Sequence, residues 1–144
     1  MENKFERNKD KLIEYIKLKS NVIAVYLFGS FADNTYNENS DIDLAVLYDE
    51  KNDLGEHVSD SVDIEKIFDN TKVDYINLEE VSLFFRFHIL KNGKIVYAKD
   101  EDKLYNYIYK TQKAYIEMKY SRDKYEAYVL NHSSLKEDGE EEYE

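Results

Sequence analysis

The chain contains no cysteine, no proline and no tryptophan among its 144 residues. The absence of cysteine excludes disulfide bonds and thiolate metal sites. The longest apolar runs, such as NVIAVYLFG from residue 21, are too short to cross a bilayer. The N-terminal MENKFERNKDK is polar and has no apolar stretch typical of a secretion signal. We therefore expect a cytoplasmic protein without a membrane segment.

Basic residues are scarce relative to acidic ones, with 20 Lys and Arg against 31 Asp and Glu and a formal net charge of −11. Such a chain lacks the basic surface that nucleic-acid phosphates require, so we expect no direct nucleic-acid partner. A basic protein or a metal-bound nucleotide suits this charge better.

The length fits one domain. We predict a domain over residues 1–132, with a core over about 20–100 and a helical segment over about 100–132. The following KEDGEEEYE carries six carboxylates against one lysine, so we predict a disordered acidic tail over 133–144.

The pattern of apolar residues predicts an α+β fold. Residues 21–28 and 72–78 are rich in β-branched and aromatic residues, and residues 41–48 alternate between polar and apolar side chains. We predict these three segments and an edge strand KIVYA as strands. The predicted helices cover residues 3–19, 58–69, 79–91 and 100–132. The third of these helices ends near Gly93, which we predict as its C-cap. The fourth is either one long helix or a broken pair.

Two aspartates mark the beginning of the second strand. Strand alternation places Asp41 and Asp43 on one face, opposite Ile42 and Leu44. Their repulsion requires a cation, and no lysine or arginine occurs from residue 31 to residue 50. A divalent ion is the economical answer, because Mg²⁺ binds carboxylates together with substrate phosphates.

A small turn precedes this pair. Gly29 lets the backbone approach a ligand closely, and Ser30 offers a hydroxyl and an amide at the start of a short helical turn, which favours a phosphate. Asp74 opens the next strand among mostly apolar residues, where a carboxylate is poorly solvated. Three carboxylates on adjacent strands suit two-metal phosphoryl or nucleotidyl transfer, although Asp63, Glu79 and Glu80 compete for the third position.

The chain resembles the nucleotidyltransferase superfamily that includes DNA polymerase beta. It has a Gly-Ser turn that is followed after ten residues by DID, and a later aspartate lies in VDYINL. Within this superfamily, the chain is similar to the minimal branch, the MNT antitoxins paired with HEPN-domain toxins. The similarity lies in its short length and in the segments LFGSFA, SDIDLAV and ILKNGKIVYAKD. The resemblance covers about residues 20–100. It implies a polymerase-beta-like fold, with a small mixed sheet flanked by helices and a long C-terminal helical segment.

The resemblance also implies roles for single residues. Asp41, Asp43 and Asp74 would be catalytic and hold Mg²⁺, with two ions expected, and Gly29 and Ser30 would bind the triphosphate of ATP. AMP would then move to a tyrosine of the partner toxin, with Asp74 orienting or accepting the hydroxyl proton. One departure concerns Asp33-Asn34, where the family often has a basic residue and a glycine.

Two other functions remain open at this stage. The chain could be an antitoxin that only binds its toxin, or a small-molecule nucleotidyltransferase similar to aminoglycoside-modifying enzymes. Among other polar residues, His88 reads as a core histidine. For Arg86 a surface salt bridge near Glu79 competes with a contact to a nucleotide or to a partner. The tyrosines of residues 100–132 suggest core packing on one flank and a partner surface on the other.

Overall fold

The computed structural model describes residues 3–49 and 54–139, with side chains up to residue 131. The elements in chain order are α1 Lys4–Lys17, β1 Val22–Phe28, α2 Ser30–Asp33, β2 Ile42–Tyr48, α3 Leu54–Ile67, β3 Val73–Asn77, a 3₁₀ turn Leu78–Glu80, α4 Leu83–Asn92, β4 Lys94–Ala98 and α5 Glu101–Gly139.

The four strands form one mixed sheet in the order β3-β2-β1-β4. Strands β2 and β3 run parallel, while β1 runs antiparallel to both β2 and β4. The predicted edge position of β4 is confirmed. A small mixed sheet flanked by helices, followed by a long C-terminal helix, is the architecture that the sequence resemblance implies.

Helices cover both faces of the sheet. Alternate residues of each strand point to opposite sides, so Leu44 and Val46 pack with Leu12 of α1 and Ile64 of α3. On the other face, a smaller cluster joins β1 and β2 to α4 and α5. Its fully or nearly buried members include Tyr26, Ala45, Leu47, Ile89 and Leu104. Asp43 and Asp74 belong by alternation to this second face.

The start of α4 differs from the prediction. We expected a helix from residue 79, whereas Glu79 and Glu80 lie in the 3₁₀ turn and α4 begins at Leu83. Val81 is extended, and the Ser82 hydroxyl accepts a hydrogen bond from the Phe85 amide as the N-cap. A serine cap therefore determines the helix start, and the carboxylates do not mark it.

The end of α4 agrees with the prediction. Gly93 is the C-cap, and its amide donates to the Ile89 carbonyl over 2.8 Å. A Cβ at Gly93 would lie 2.6 Å from that carbonyl oxygen and 3.1 Å from the Leu27 oxygen. Glycine is therefore required by the close approach of α4 to β1.

Two further boundaries were predicted wrongly. Helix α3 begins at Leu54, earlier than the predicted residue 58. Helix α5 is one helix and continues to Gly139, so residues 133–139 are helical where we expected a disordered tail. The remaining tail residues, 140–144, lie outside the described residues.

Only the first part of α5 packs on the domain. Leu104 and Thr111 are buried, whereas nearly every side chain from Lys119 to Asn131 is exposed. None of the helices in the described ranges is long and apolar enough to cross a membrane.

Candidate active site

The parallel pairing of β2 and β3 brings two carboxyl groups together. Asp43 lies directly opposite Asp74 in the strand register, and their carboxyl groups lie close enough to interact with each other. Asp41 immediately precedes β2 and lies close enough to influence Asp43 electrostatically. The three aspartates predicted from the sequence therefore lie near one another at the end of the sheet where the parallel strands β2 and β3 begin.

The competing carboxylates lie elsewhere. Asp63 accepts a hydrogen bond from the Tyr15 hydroxyl over 3.0 Å, among residues of α1 and α3 on the opposite face of the sheet. Glu79 and Glu80 follow the far end of β3 in the 3₁₀ turn. Of the four candidates for the third carboxylate, Asp74 is therefore the one beside Asp43.

Asp43 has an altered acidity. Burial is the largest cause that raises the pKa of its carboxyl to about 6, and the hydrogen bond and charge of Asp74 and the charge of Asp41 act in the same direction. Lys72 opposes them weakly. The pair Asp43 and Asp74 therefore carries more negative charge than its surroundings compensate.

Lys72 is a cation that the sequence analysis missed. Its Nζ lies 3.7 Å from Asp41 Oδ2, and both side chains are substantially exposed. Such a pair contributes little free energy because solvent screens it. Lys72 directly precedes β3, far in sequence from the loop before β2, and it reaches Asp41 only through the pairing of the two strands.

Gly29 connects the turn to the carboxylates. It has φ 75° and ψ −154°, a conformation unfavourable for residues with a side chain. A Cβ at this position would also clash with the carboxylate of Asp43. Gly29 is thus required twice, by its backbone angle and by the proximity of the Asp43 side chain.

The turn continues into α2, a single helical turn that begins at Ser30. The amides of Ala32 and Asp33 donate to the Gly29 carbonyl over 3.0 and 3.1 Å. Asn34 ends the turn in the left-handed conformation with φ 61°. Because asparagine tolerates this conformation better than most residues, Asn34 preserves the backbone path where the family often has glycine.

The donor set suits a magnesium ion. Carboxylate oxygens are hard ligands that Mg²⁺ prefers, and the uncompensated charge of Asp43 and Asp74 would be relieved by a divalent cation. Within residues 3–49 and 54–139, no group of three or more histidine or acidic side chains is already arranged as a metal site.

Among the described residues, Arg86 bonds to backbone carbonyls and forms no surface salt bridge with Glu79. Its Nε donates to the Leu78 carbonyl over 2.9 Å, and its Nη2 donates to the carbonyls of Val81 and Glu79 over 3.0 and 3.4 Å. The guanidinium thus links α4 to the backbone that follows β3.

Comparison with known proteins identifies the family. The family described as polymerase beta nucleotidyltransferase matches residues 10–102. The chain belongs to this family. Two relatives of this nucleotidyltransferase are named protein adenylyltransferases. A provisionally named protein adenylyltransferase of Methanocaldococcus jannaschii is 31% identical over 99 residues, which cover 69% of this chain and 74% of that protein. The protein adenylyltransferase MntA of Aphanizomenon flos-aquae is 33% identical over 101 residues, 63% of either chain.

A solved structure supports the same assignment. A toxin–antitoxin complex crystallised with AMP-PNP contains a chain that is 25% identical and superposes with a TM-score of 0.71. The match covers 85% of this nucleotidyltransferase chain and 98% of that one. The likeness thus extends beyond the family match at residue 102 into α5.

Proposed function

We propose that this nucleotidyltransferase moves AMP from ATP to a tyrosine hydroxyl of a partner protein, a HEPN-type ribonuclease toxin, and so acts as its antitoxin. The observation that carries the proposal is the pair of carboxylates Asp43 and Asp74, which lie opposite each other on β2 and β3 beside the Gly29 turn. The names of the two relatives, both protein adenylyltransferases, support protein as the acceptor.

The sheet order supports a direction for the reaction. Asp74 lies on β3, Asp43 on the central β2 and Gly29 at the end of β1, so the turn and Asp74 flank Asp43 on opposite sides. In-line transfer places the attacking and leaving oxygens on opposite sides of the α-phosphorus. The acceptor hydroxyl then approaches beside Asp74, and pyrophosphate leaves beside Gly29 and Ser30.

Each residue has a defined task. Asp41, Asp43 and Asp74 would hold Mg²⁺, which when bound neutralises phosphate charge and lowers the pKa of the acceptor hydroxyl. The tyrosine oxygen forms a bond to the α-phosphorus, and the bond from that phosphorus to the bridging oxygen of pyrophosphate breaks. The Asp74 carboxylate orients the hydroxyl and receives its proton. Gly29 lets the phosphates approach the backbone, and Ser30 binds them through its hydroxyl and amide.

An exposed surface of α5 supports a protein partner. Tyr105, Tyr109, Ile116 and Tyr120, here called the aromatic stripe, are 58% to 64% exposed. At 3.6 residues per turn they fall within about 60° of the helix circumference. A helix that packs on nothing is marginally stable in water, so a partner surface over the stripe and the second half of α5 would stabilise it. We assign this surface to the acceptor protein, whose basic surface the net charge of −11 would attract.

Mass spectrometry of the co-expressed toxin tests the proposal. We expect the toxin to gain the mass of AMP with the unaltered chain and to remain unmodified with Asp43→Asn. Asp10→Asn is the matched control, because Asp10 is an exposed carboxylate on α1. Modification that persists with Asp43→Asn would contradict the carboxylate assignment. Neutralisation of an unmodified toxin by the unaltered chain would instead establish the binding-only antitoxin.

A further inference from the structure

A cavity of about 250 Å³ lies between the Gly29 turn and α4. Gly29 and Asp33 line one side of it, and residues of α4 line the other. Since a Cβ on Gly29 would meet the Asp43 carboxylate, Gly29 connects this cavity to the nearest of the proposed catalytic carboxylates. A group attached to an α-phosphate bound at Asp43 could reach it.

One face of α4 forms the far wall of this cavity. Phe85, His88, Ile89 and Asn92 all line it, and their spacing of three, four and seven residues is that of a single helix face. Phe85 is 40% exposed although it also packs edge-on against Phe28, with ring centroids 5.7 Å apart. An aromatic side chain therefore borders the cavity with part of its surface uncovered.

Two polar side chains on the same face have no hydrogen-bond partner among the described residues. The His88 ring packs against Phe84 with centroids 4.4 Å apart, and it is only half-buried, unlike the core histidine that we expected. Across the described ranges, neither the His88 ring nitrogens nor the Asn92 amide forms a hydrogen bond with another residue. Both groups can therefore bind a ligand in the cavity.

The chemistry of the walls disfavours a phosphate. Asp33 contributes a carboxylate to the lining of the cavity, and this charge repels phosphate oxygens. Phe28, Phe85 and Ile89 contribute apolar surface. A nucleobase suits these walls, since its faces stack on aromatic rings and its edge carries hydrogen-bonding groups. An asparagine amide can accept from the amino group of adenine while donating to an adjacent ring nitrogen.

We propose that this cavity binds the adenine base of ATP, with Phe85 as a stacking surface and His88 and Asn92 as the groups that recognise its edge. The proposal rests on the proposed function and adds the residues that determine which nucleotide is used. It also assigns a role to Asp33: a carboxylate in place of the family's basic residue accepts from the amino group of the base.

Equilibrium binding of two probes tests this site. A non-hydrolysable ATP analogue contains the base, whereas inorganic tripolyphosphate contains only the phosphates, and both are titrated in Mg²⁺ into the full chain. We expect Asn92→Leu and His88→Leu to weaken the ATP analogue about tenfold or more, the size of a lost base contact, and to leave tripolyphosphate unchanged. Preference for the ATP analogue over a GTP analogue should also fall in Asn92→Leu.

Lys91→Ala is the matched control, because Lys91 lies on the same helix but lines a different cavity with Phe87. It should bind both probes normally. An equal loss of both probes in Asn92→Leu and His88→Leu would identify a phosphate site and overturn the proposal, as would unchanged binding of both. Thermal unfolding verifies that each variant is folded. If these variants bind normally while Asp43→Asn still abolishes AMP transfer, the base site fails and the proposed function stands.

Discussion

At the scale of single residues, Gly29 joins backbone conformation to the candidate active site. Its positive φ and its contact with Asp43 both exclude a side chain. We expect Gly29→Ala to lose about 1–3 kcal/mol of unfolding free energy through strain, and to abolish AMP transfer because the Asp43 carboxylate must move. Urea denaturation and the toxin modification assay measure the two effects.

Asn34 provides the control for this prediction. It also has a positive φ, of 61°, but its side chain is exposed. Asn34→Gly should keep transfer activity and change stability by only a few tenths of a kcal/mol. Equal damage by Asn34→Gly and Gly29→Ala would show that the whole turn is sensitive, and that the contact with Asp43 is not the cause.

Asp43 should make stability depend on pH when no metal is bound. The folded pKa of about 6 lies above the ordinary value of 3.8, so the folded protein binds this proton more tightly than the unfolded chain. Ionisation of Asp43 therefore disfavours folding above about pH 6, and this penalty disappears below about pH 4. In chelator, Asp43→Asn should be more stable than the unaltered chain at about pH 8, by about 1 kcal/mol after allowance for solvent screening, and equally stable at low pH.

Urea denaturation at the two pH values measures this difference. Asp10→Asn, which removes an exposed carboxylate of α1, should show no comparable gain. A gain for Asp43→Asn that is the same at both pH values would contradict the electrostatic explanation, since only the ionised carboxyl is penalised.

At the scale of elements, Arg86 determines how α4 is attached to the sheet. Its guanidinium donates to three carbonyls in and beside the 3₁₀ turn. Arg86→Ala would leave partly buried carbonyls without donors, so we expect a loss of about 1–3 kcal/mol of unfolding free energy. Arg86→Lys should restore little, because an ammonium cannot reproduce the planar fork. Chemical denaturation measures both, with Lys91→Ala as the exposed control, and a loss no larger than that control would contradict the prediction.

At the scale of the whole molecule, the aromatic stripe should act in partner binding and not in folding. Replacing Tyr109 and Tyr120 together with serine should change the stability of the isolated chain by less than about 0.5 kcal/mol, because both are exposed. The same change should weaken the complex with the acceptor protein about tenfold or more, since exposed tyrosines often carry much of the affinity of an interface.

Tyr125→Ser is the matched control for the stripe. Tyr125 is 65% exposed and lies about half a turn away from the stripe on the helix circumference. Calorimetric titration of the purified acceptor protein compares the variants. If Tyr125→Ser weakens the complex as much as the double variant, or if neither does, the stripe is not the docking surface.

Local patterns in the sequence determined much of this protein. Alternation along β2 was enough to place Asp41 and Asp43 opposite Ile42 and Leu44, because successive strand residues must point to opposite faces. Gly93 was predicted as a C-cap because glycine commonly follows the last residue of a helix. The motif of Gly29, Ser30 and the aspartates also led to the correct family and fold.

The tertiary structure decided what depends on distance between segments that are remote in sequence. Strand pairing brings Asp74 opposite Asp43 and Lys72 to Asp41. Burial of Asp43 and, to a smaller extent, its neighbour Asp74 raise the pKa of Asp43. The carbonyl partners of Arg86 and the cavity face of α4 likewise exist only after α4 packs near β1 and β3. The aromatic stripe is exposed because it lies on a part of α5 that the rest of the domain does not cover. Periodicity reports which residues share a face, whereas only packing decides which faces are covered.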